Sequence, residues 1–358
     1  MTQSIRYRWL RIVARAGIIL LVILGISQAV RRAVDELQAN QTEIVERIGE
    51  LETREILTDD LTEKQEIRSQ IAVLRPQIVS VWNVRPIPLL LALFLSIVGL
   101  LPSGWYWLKV LRSFKQEVPW VPTFEAYFLG HLGKYIPGKA MVFVLRLGRM
   151  RTLGVPLGIG TVSIFVETLT VMAVGAAVGG VMLQFVSSPR WLQVSAFLGV
   201  LAATIPTVPG LFSSVIKIVA KNRIGSTTKI ISQGLTWSLF FWGWIGLVIG
   251  WLVQGVGVWL VVMAIVPGTV ELPLLSWSIY AACTATATLS VVAGFVSFLP
   301  GGAGIRELVI ILILGSIIGS APALFAAILL RLISLAAEII LFMAMNVLLR
   351  WSGRTSSV

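Results

Sequence analysis

One cysteine, Cys283, and one histidine, His131, are all that 358 residues supply of those two types. An internal disulfide is therefore excluded, and so is any Cys/His metal cage, because such sites draw on several of these side chains. HExxH, GxSxG and a glycine-rich loop ending in GK[ST] do not occur, so the metalloprotease, hydrolase and P-loop signatures are missing. Charge is scarce as well. Asp, Glu, Lys and Arg make up 13% of the chain against 56% hydrophobic residues, and mean hydropathy is +0.88. That composition reads as an all-α polytopic membrane protein rather than a water-soluble domain. The net charge of +12 is not spread along an aromatic-interleaved basic face, so no nucleic acid is expected as partner. Cys283 sits among small apolar residues and reads as inert packing.

The basic residues lie beside apolar runs and orient them. Arg6, Arg8, Arg11 and Arg15 precede the run from Ala16 to Val30, which fits a first span (1–30) with a cytoplasmic N-terminus. Ser27 and Ala29 have signal-peptidase-like spacing, so cleavage after Ala29 competes with an uncleaved anchor, and we take the anchor. Further spans are expected at Ile87–Leu108, Val155–Val186, Trp191–Phe212, Ile230–Val253, Trp277–Val296 and Ala323–Leu349, with a half-length Leu308–Ile318. Gly255 and Gly257 are expected to interrupt the apolar extension after Val253. The scheme amounts to about eight transmembrane helices with re-entrant Pro-Gly elements, a core at 87–349 and a tail at 350–358 on the cytoplasmic side.

Residues 31–86 have a different character. They contain 11 of the 17 acidic residues and 8 of the 29 basic ones. Val34, Leu37, Gln41, Ile44, Ile48 and Leu51 are spaced 3, 4, 3, 4, 3, and Ile67, Ile71, Leu74, Ile78 and Val81 continue the alternation, which is coiled-coil spacing. Thr58, Asp59 and Asp60 offer a turn, with Glu63 three residues after an Asp60 N-cap. Pro76 ends or kinks the return arm. An extracytoplasmic helical hairpin is expected, serving either as a rigid spacer or as an arm for a protein partner or self-association.

Two irregular stretches interrupt otherwise apolar sequence. Phe298–Arg306 reads FLPGGAGIR and His131–Arg146 reads HLGKYIPGKAMVFVLR; each runs aliphatic, Pro, Gly, small or basic residue, then Arg. Backbone of this kind is tolerated at membrane depth only where protein buries it or water lines it. Ionisable residues inside spans are costly, about 2.5–3.5 kcal/mol on insertion scales, and face a cavity or a partner. Glu167, Arg306, Glu307, Arg331 and Glu338 are such residues. For each, an interhelical ion pair competes evenly with substrate contact.

KYIPGKAMVFVLR, the later Glu167, FLPGGAGIRELVIILIL and the Arg331…Glu338 helix together resemble the lysylphosphatidylglycerol synthase transmembrane-region family, over roughly residues 87–349. The resemblance implies a lipid-handling membrane core, which in the best-known members moves an aminoacylated phospholipid between leaflets, in a bacterial inner membrane. This chain is expected to depart from the family in two ways: it carries no soluble aminoacyl-transferase domain after its last span, and its 31–86 hairpin is not part of the usual core. Site residues carried over are Lys134, Tyr135, Pro137, Gly138, Lys139 and Arg146 of the first motif, Pro300, Gly301, Gly302, Gly304, Arg306 and Glu307 of the second, and Glu167, Arg331 and Glu338. Glycine clusters let backbone approach a head group, while Lys139, Arg146 and Arg306 neutralise its phosphate. Paired broken helices are also how inverted-repeat transporters build their sites. The expected function is binding and translocation of a phospholipid or lipid-linked head group, without cofactor and without catalysis. A partner-recruiting scaffold and a lipid-modifying enzyme using Glu167 or Glu338 are the competing readings.

Overall fold

The computed structural model describes residues 42–74, 84–135, 140–186, 190–220, 227–265, 276–297, 302 and 304–355. The expected anchor at 1–30, Pro76, and the motif residues Pro137, Gly138, Lys139, Pro300 and Gly301 lie outside them. Among the described residues every regular element is a helix. The protein is an all-α polytopic membrane protein.

Among the described residues five helices are long and apolar enough to cross a bilayer. They are α3 (Pro86–Ser113), α6 (Leu157–Leu183), α10 (Trp237–Ile265), α11 (Trp277–Val296) and α13 (Ser320–Thr355). Between them lie shorter pieces: α4 (Trp120–Leu132), α5 (Ala140–Arg151), α7 (Arg190–Thr204), α8 (Pro209–Ala220), α9 (Thr227–Gly234) and α12 (Ile305–Ile318). At about 1.5 Å per residue, α4, α5 and α12 each rise roughly 20 Å, short of the ~30 Å hydrocarbon core. They fit the expected re-entrant and half-length pieces. The expected Trp191–Phe212 span is instead divided, with the 3-10 turn Ile205–Thr207 between α7 and α8.

Another expectation fails. Gly255 and Gly257 do not break a helix, because α10 runs unbroken for 29 residues. Gly255 serves close packing instead. A Cβ on Gly255 would collide with Thr284 of α11, and one on Gly250 would sit 2.9 Å from the Gly99 carbonyl oxygen of α3. Without a hydrophobic drive between helices in lipid, such backbone approach is what binds them. The N–H of Arg85 donates to the Ala264 carbonyl at 3.0 Å and its guanidinium donates to the Met263 carbonyl, so the head of α3 caps the last turn of α10.

The hairpin forms as expected over its described part. Helix α1 (42–57) and α2 (Leu61–Leu74) are joined by residues 58–60, and Ile44, Ile48, Leu51, Ile67 and Ile71 are buried along their inner face. Arg68 Nε donates to Glu55 at 2.6 Å, which fixes the arms as antiparallel. Asp60 caps α2 by accepting from the Thr62 N–H at 2.8 Å. Glu63 turns away from the backbone and accepts from Thr58 Oγ1 at 2.6 Å.

Two apolar clusters flank the polar interior. One gathers α10, α11, α12 and the start of α13 around Val261, Ala282, Ile313 and Leu324, with Cys283 fully enclosed. The other gathers α3, α4, α6 and the later part of α13 around Trp107, Phe128, Ile164 and Leu341.

A polar belt as candidate functional site

Helix α4 begins the belt, since Tyr127 and His131 are four residues apart and share one face. Tyr127 donates its hydroxyl to Glu167 Oε1 at 2.9 Å. Glu167, the eleventh residue of α6, receives Arg146 Nη1 on its other oxygen at 2.6 Å, and both side chains are 3% exposed. The Arg146 guanidinium stacks over the Tyr127 ring at 4.2 Å and the Trp107 ring at 5.1 Å. Gly130 makes room for it, since a Cβ there would lie 2.5 Å from Arg146 Cγ. Trp107 is anchored in turn through Nε1 to Ser163 Oγ at 3.1 Å. The pair is aromatic-walled and charge-neutral, and Arg146 Nε is buried without a hydrogen-bond partner among the described residues.

The Tyr127 ring lies 4.7 Å from the ring of His131, which carries the belt onward. His131 Nδ1 is 3.4 Å from Glu338 Oε1, and Lys134 Nζ donates to the same oxygen. Lys134 and Tyr135 form the short 3-10 turn Gly133–Tyr135 at the end of α4. Glu338, on α13, is 1% exposed, and its Oε2 has no hydrogen-bond partner among the described residues. The start of the first Pro-Gly motif is thereby tied to the last helix.

The second motif enters from α12. Gly302 and Gly304 have φ of +68° and +82°, values that L side chains rarely adopt, so glycine is required at both. Gly294 and Gly302 face one another across the Arg306 stem, and a Cβ on Gly294 would lie 2.8 Å from Arg306 Nε. Glu307 accepts from the Gly304 N–H at 2.8 Å with one oxygen and from Arg331 Nε at 2.5 Å with the other. Arg306 has no carboxylate partner in salt-bridge range among the described residues. Its Nε and the Nη2 of Arg331 are buried without hydrogen-bond partners. Arg306 lies within electrostatic reach of Lys134, Tyr135, Arg331, Glu307 and Glu338.

Charge counting separates the two ends. Arg146 and Glu167 cancel, whereas the far end sets Lys134, Arg306 and Arg331 against Glu307 and Glu338. Among the described residues one cation is in excess, and Arg306 is the second residue of α12, where the positive end of the helix dipole already repels it. That end favours an anion. The expected cooperation of Arg146 with Arg306 at one phosphate is not the arrangement seen, because Arg146 is committed to Glu167.

The motif residues Lys134, Tyr135, Gly302, Gly304, Arg306 and Glu307 converge with Arg331 and Glu338, while Arg146 and Glu167 form the neighbouring ion pair. Sequence reasoning passed over Tyr127, His131 and Trp107, although the i, i+4 pairing of Tyr127 and His131 on a short helix was a readable signal. It also passed over Glu125, which is buried in α4 and pairs with Arg149 at 2.7 Å.

All of these residues fall inside one match. Residues 62–341, more than three quarters of the chain, match the family described as the lysylphosphatidylglycerol synthase TM region. The chain belongs to this family. None of the curated proteins matches it. The family match starts within α2, so the second arm of the hairpin is part of the matched region, and both Pro-Gly elements and the whole polar belt lie within it.

Proposed function

We propose that this member of the lysylphosphatidylglycerol synthase transmembrane-region family binds a membrane lipid by its phosphate at the Arg306 end of the belt and moves it between leaflets. Family membership makes the protein an integral membrane protein connected with lipid; translocation is our extension. The observation that carries it is the excess cation at Arg306, with its enclosed and unpartnered Nε, beside the equally unpartnered Nη2 of Arg331. Inside a membrane such groups are retained where an anion completes them. A phosphate supplies acceptors to both, at a place where Gly302 and Gly304 keep side chains out of the way. The free Oε2 of Glu338 faces the same cluster as an acceptor for a head-group donor.

A carrier is favoured over an enzyme because Glu167 and Glu338 are each held by a cation, which suits neither for proton transfer. No cofactor is called upon. The basic residues beside the spans support an orientation with cytoplasmic termini and an external hairpin, and the family resemblance supports a bacterial inner membrane as the setting.

The test is reconstitution into liposomes carrying a trace of fluorescent phospholipid, with dithionite bleaching as the readout. Wild-type protein is expected to expose inner-leaflet probe, and Arg306→Ala to slow it at least tenfold at equal folded protein. Bleaching no faster than in empty liposomes, for phosphatidylglycerol, phosphatidylethanolamine and an aminoacylated phospholipid alike, overturns the proposal.

A further inference from the structure

The hairpin tip carries an apolar feature that neither its own fold nor the lipid site uses. Ile56, Leu57 and Leu61 flank the turn and are 81%, 77% and 79% exposed. Hairpin closure does not need them, because the inner face is already filled by Ile44, Ile48, Leu51, Ile67 and Ile71. A turn in water is ordinarily polar, and three large aliphatics bunched at one mark an interaction surface. The turn beneath them is defined by local contacts: Thr58 and Arg54 both donate to Glu63, at 2.6 and 3.3 Å, and Asp60 caps α2.

Charge decides what fits. Residues 42–74 contain nine carboxylates against four cations, in a chain whose net charge is +12. A second hairpin would bring like charge against like charge, and an anionic leaflet would repel the tip in the same way. A surface with an apolar pocket and a rim of Lys and Arg complements it on both counts. The tip residues Ile56, Leu57 and Leu61 precede position 62, where the family match begins.

We infer that the hairpin tip docks into an apolar groove rimmed by basic residues on another protein, with Ile56, Leu57 and Leu61 as the anchor and the acidic turn around Asp59 as its electrostatic guide. This surface is separate from the lipid cluster, and its test stands whether or not lipid is moved.

Full-length protein in its native membranes is given a benzophenone amino acid at position 56, with position 46, an exposed site on the flank of α1, as the comparison. Irradiation is expected to yield an adduct with a different protein from position 56 at least tenfold above position 46. The cross-linked peptide is expected to map to apolar residues flanked by Lys and Arg. Combined Leu57→Ser and Leu61→Ser is expected to lower the yield at least tenfold, and Asp59→Lys or added salt to lower it several-fold, at unchanged protein level. No adduct, an adduct only with a second copy or with lipid, a cross-linked peptide lacking basic neighbours, or a yield indifferent to Asp59→Lys overturns the inference.

Discussion

Arg146 and Glu167 face each other at 2.6 Å inside a wall made by the rings of Trp107 and Tyr127. Both charges are out of water, and each is the other's compensation. Removing one leaves its partner as an isolated charge, which costs far more than removing both.

Arg146→Ala is therefore expected to lower the stability of the purified protein by about 3–5 kcal/mol, while Arg146→Met combined with Glu167→Leu loses much less. Melting in detergent measures both. A loss in the double variant as large as the sum of the separate Arg146→Met and Glu167→Leu losses would show that the pair is not coupled.

Arg306→Ala is expected to act in the opposite manner. Deleting an unmatched cation relieves the bundle, so the melt should stay level or rise, while phospholipid retained per folded molecule falls. Mass spectrometry of lipid in the purified variants separates the two arginines. Retention unchanged in Arg306→Ala would remove that residue from the lipid site.

Gly294 and Gly302 provide a test by rescue. Gly294→Ala drives a methyl against Arg306 Cγ and Nε, both 2.8 Å from the new carbon, and is expected to cost about 1–3 kcal/mol by overpacking. The further change Arg306→Ala empties that slot and should return most of the loss. Gly302→Ala should not be rescued in full, because its φ of +68° adds roughly 1–2 kcal/mol of backbone strain that no neighbour can relieve.

Orientation follows from labelling. In a Cys283→Ala background, a cysteine at position 59 should react with a membrane-impermeant maleimide in intact cells, and one at position 115 only after the membrane is opened. Reaction at 115 from outside would invert the assignment.

Much of this architecture was legible because lipid constrains sequence so tightly. Span direction followed from Arg and Lys beside apolar runs, and Glu167, Arg306, Arg331 and Glu338 stood out since charge in hydrocarbon needs a reason. The pairings were not legible. Periodicity says which residues share a helix face, yet it does not say which helix comes to lie opposite, so Arg146 with Glu167 and Glu338 with Lys134 depend on tertiary arrangement. Gly255 and Gly257 misled for a related reason. A glycine in an apolar run looks the same whether it ends a helix or lets a neighbour such as Thr284 come close.

Glu338 lies 204 residues beyond the Lys134 it holds. At the usual ~5–20 residues per second of synthesis, that cation waits roughly 10–40 s for its carboxylate. During the interval the 3-10 turn that follows α4 carries a charge whose carboxylate partner has not yet been made. Its final seat is thus assigned only when α13 arrives, and a ribosome that stops before Glu338 releases a chain whose first motif has nowhere to settle.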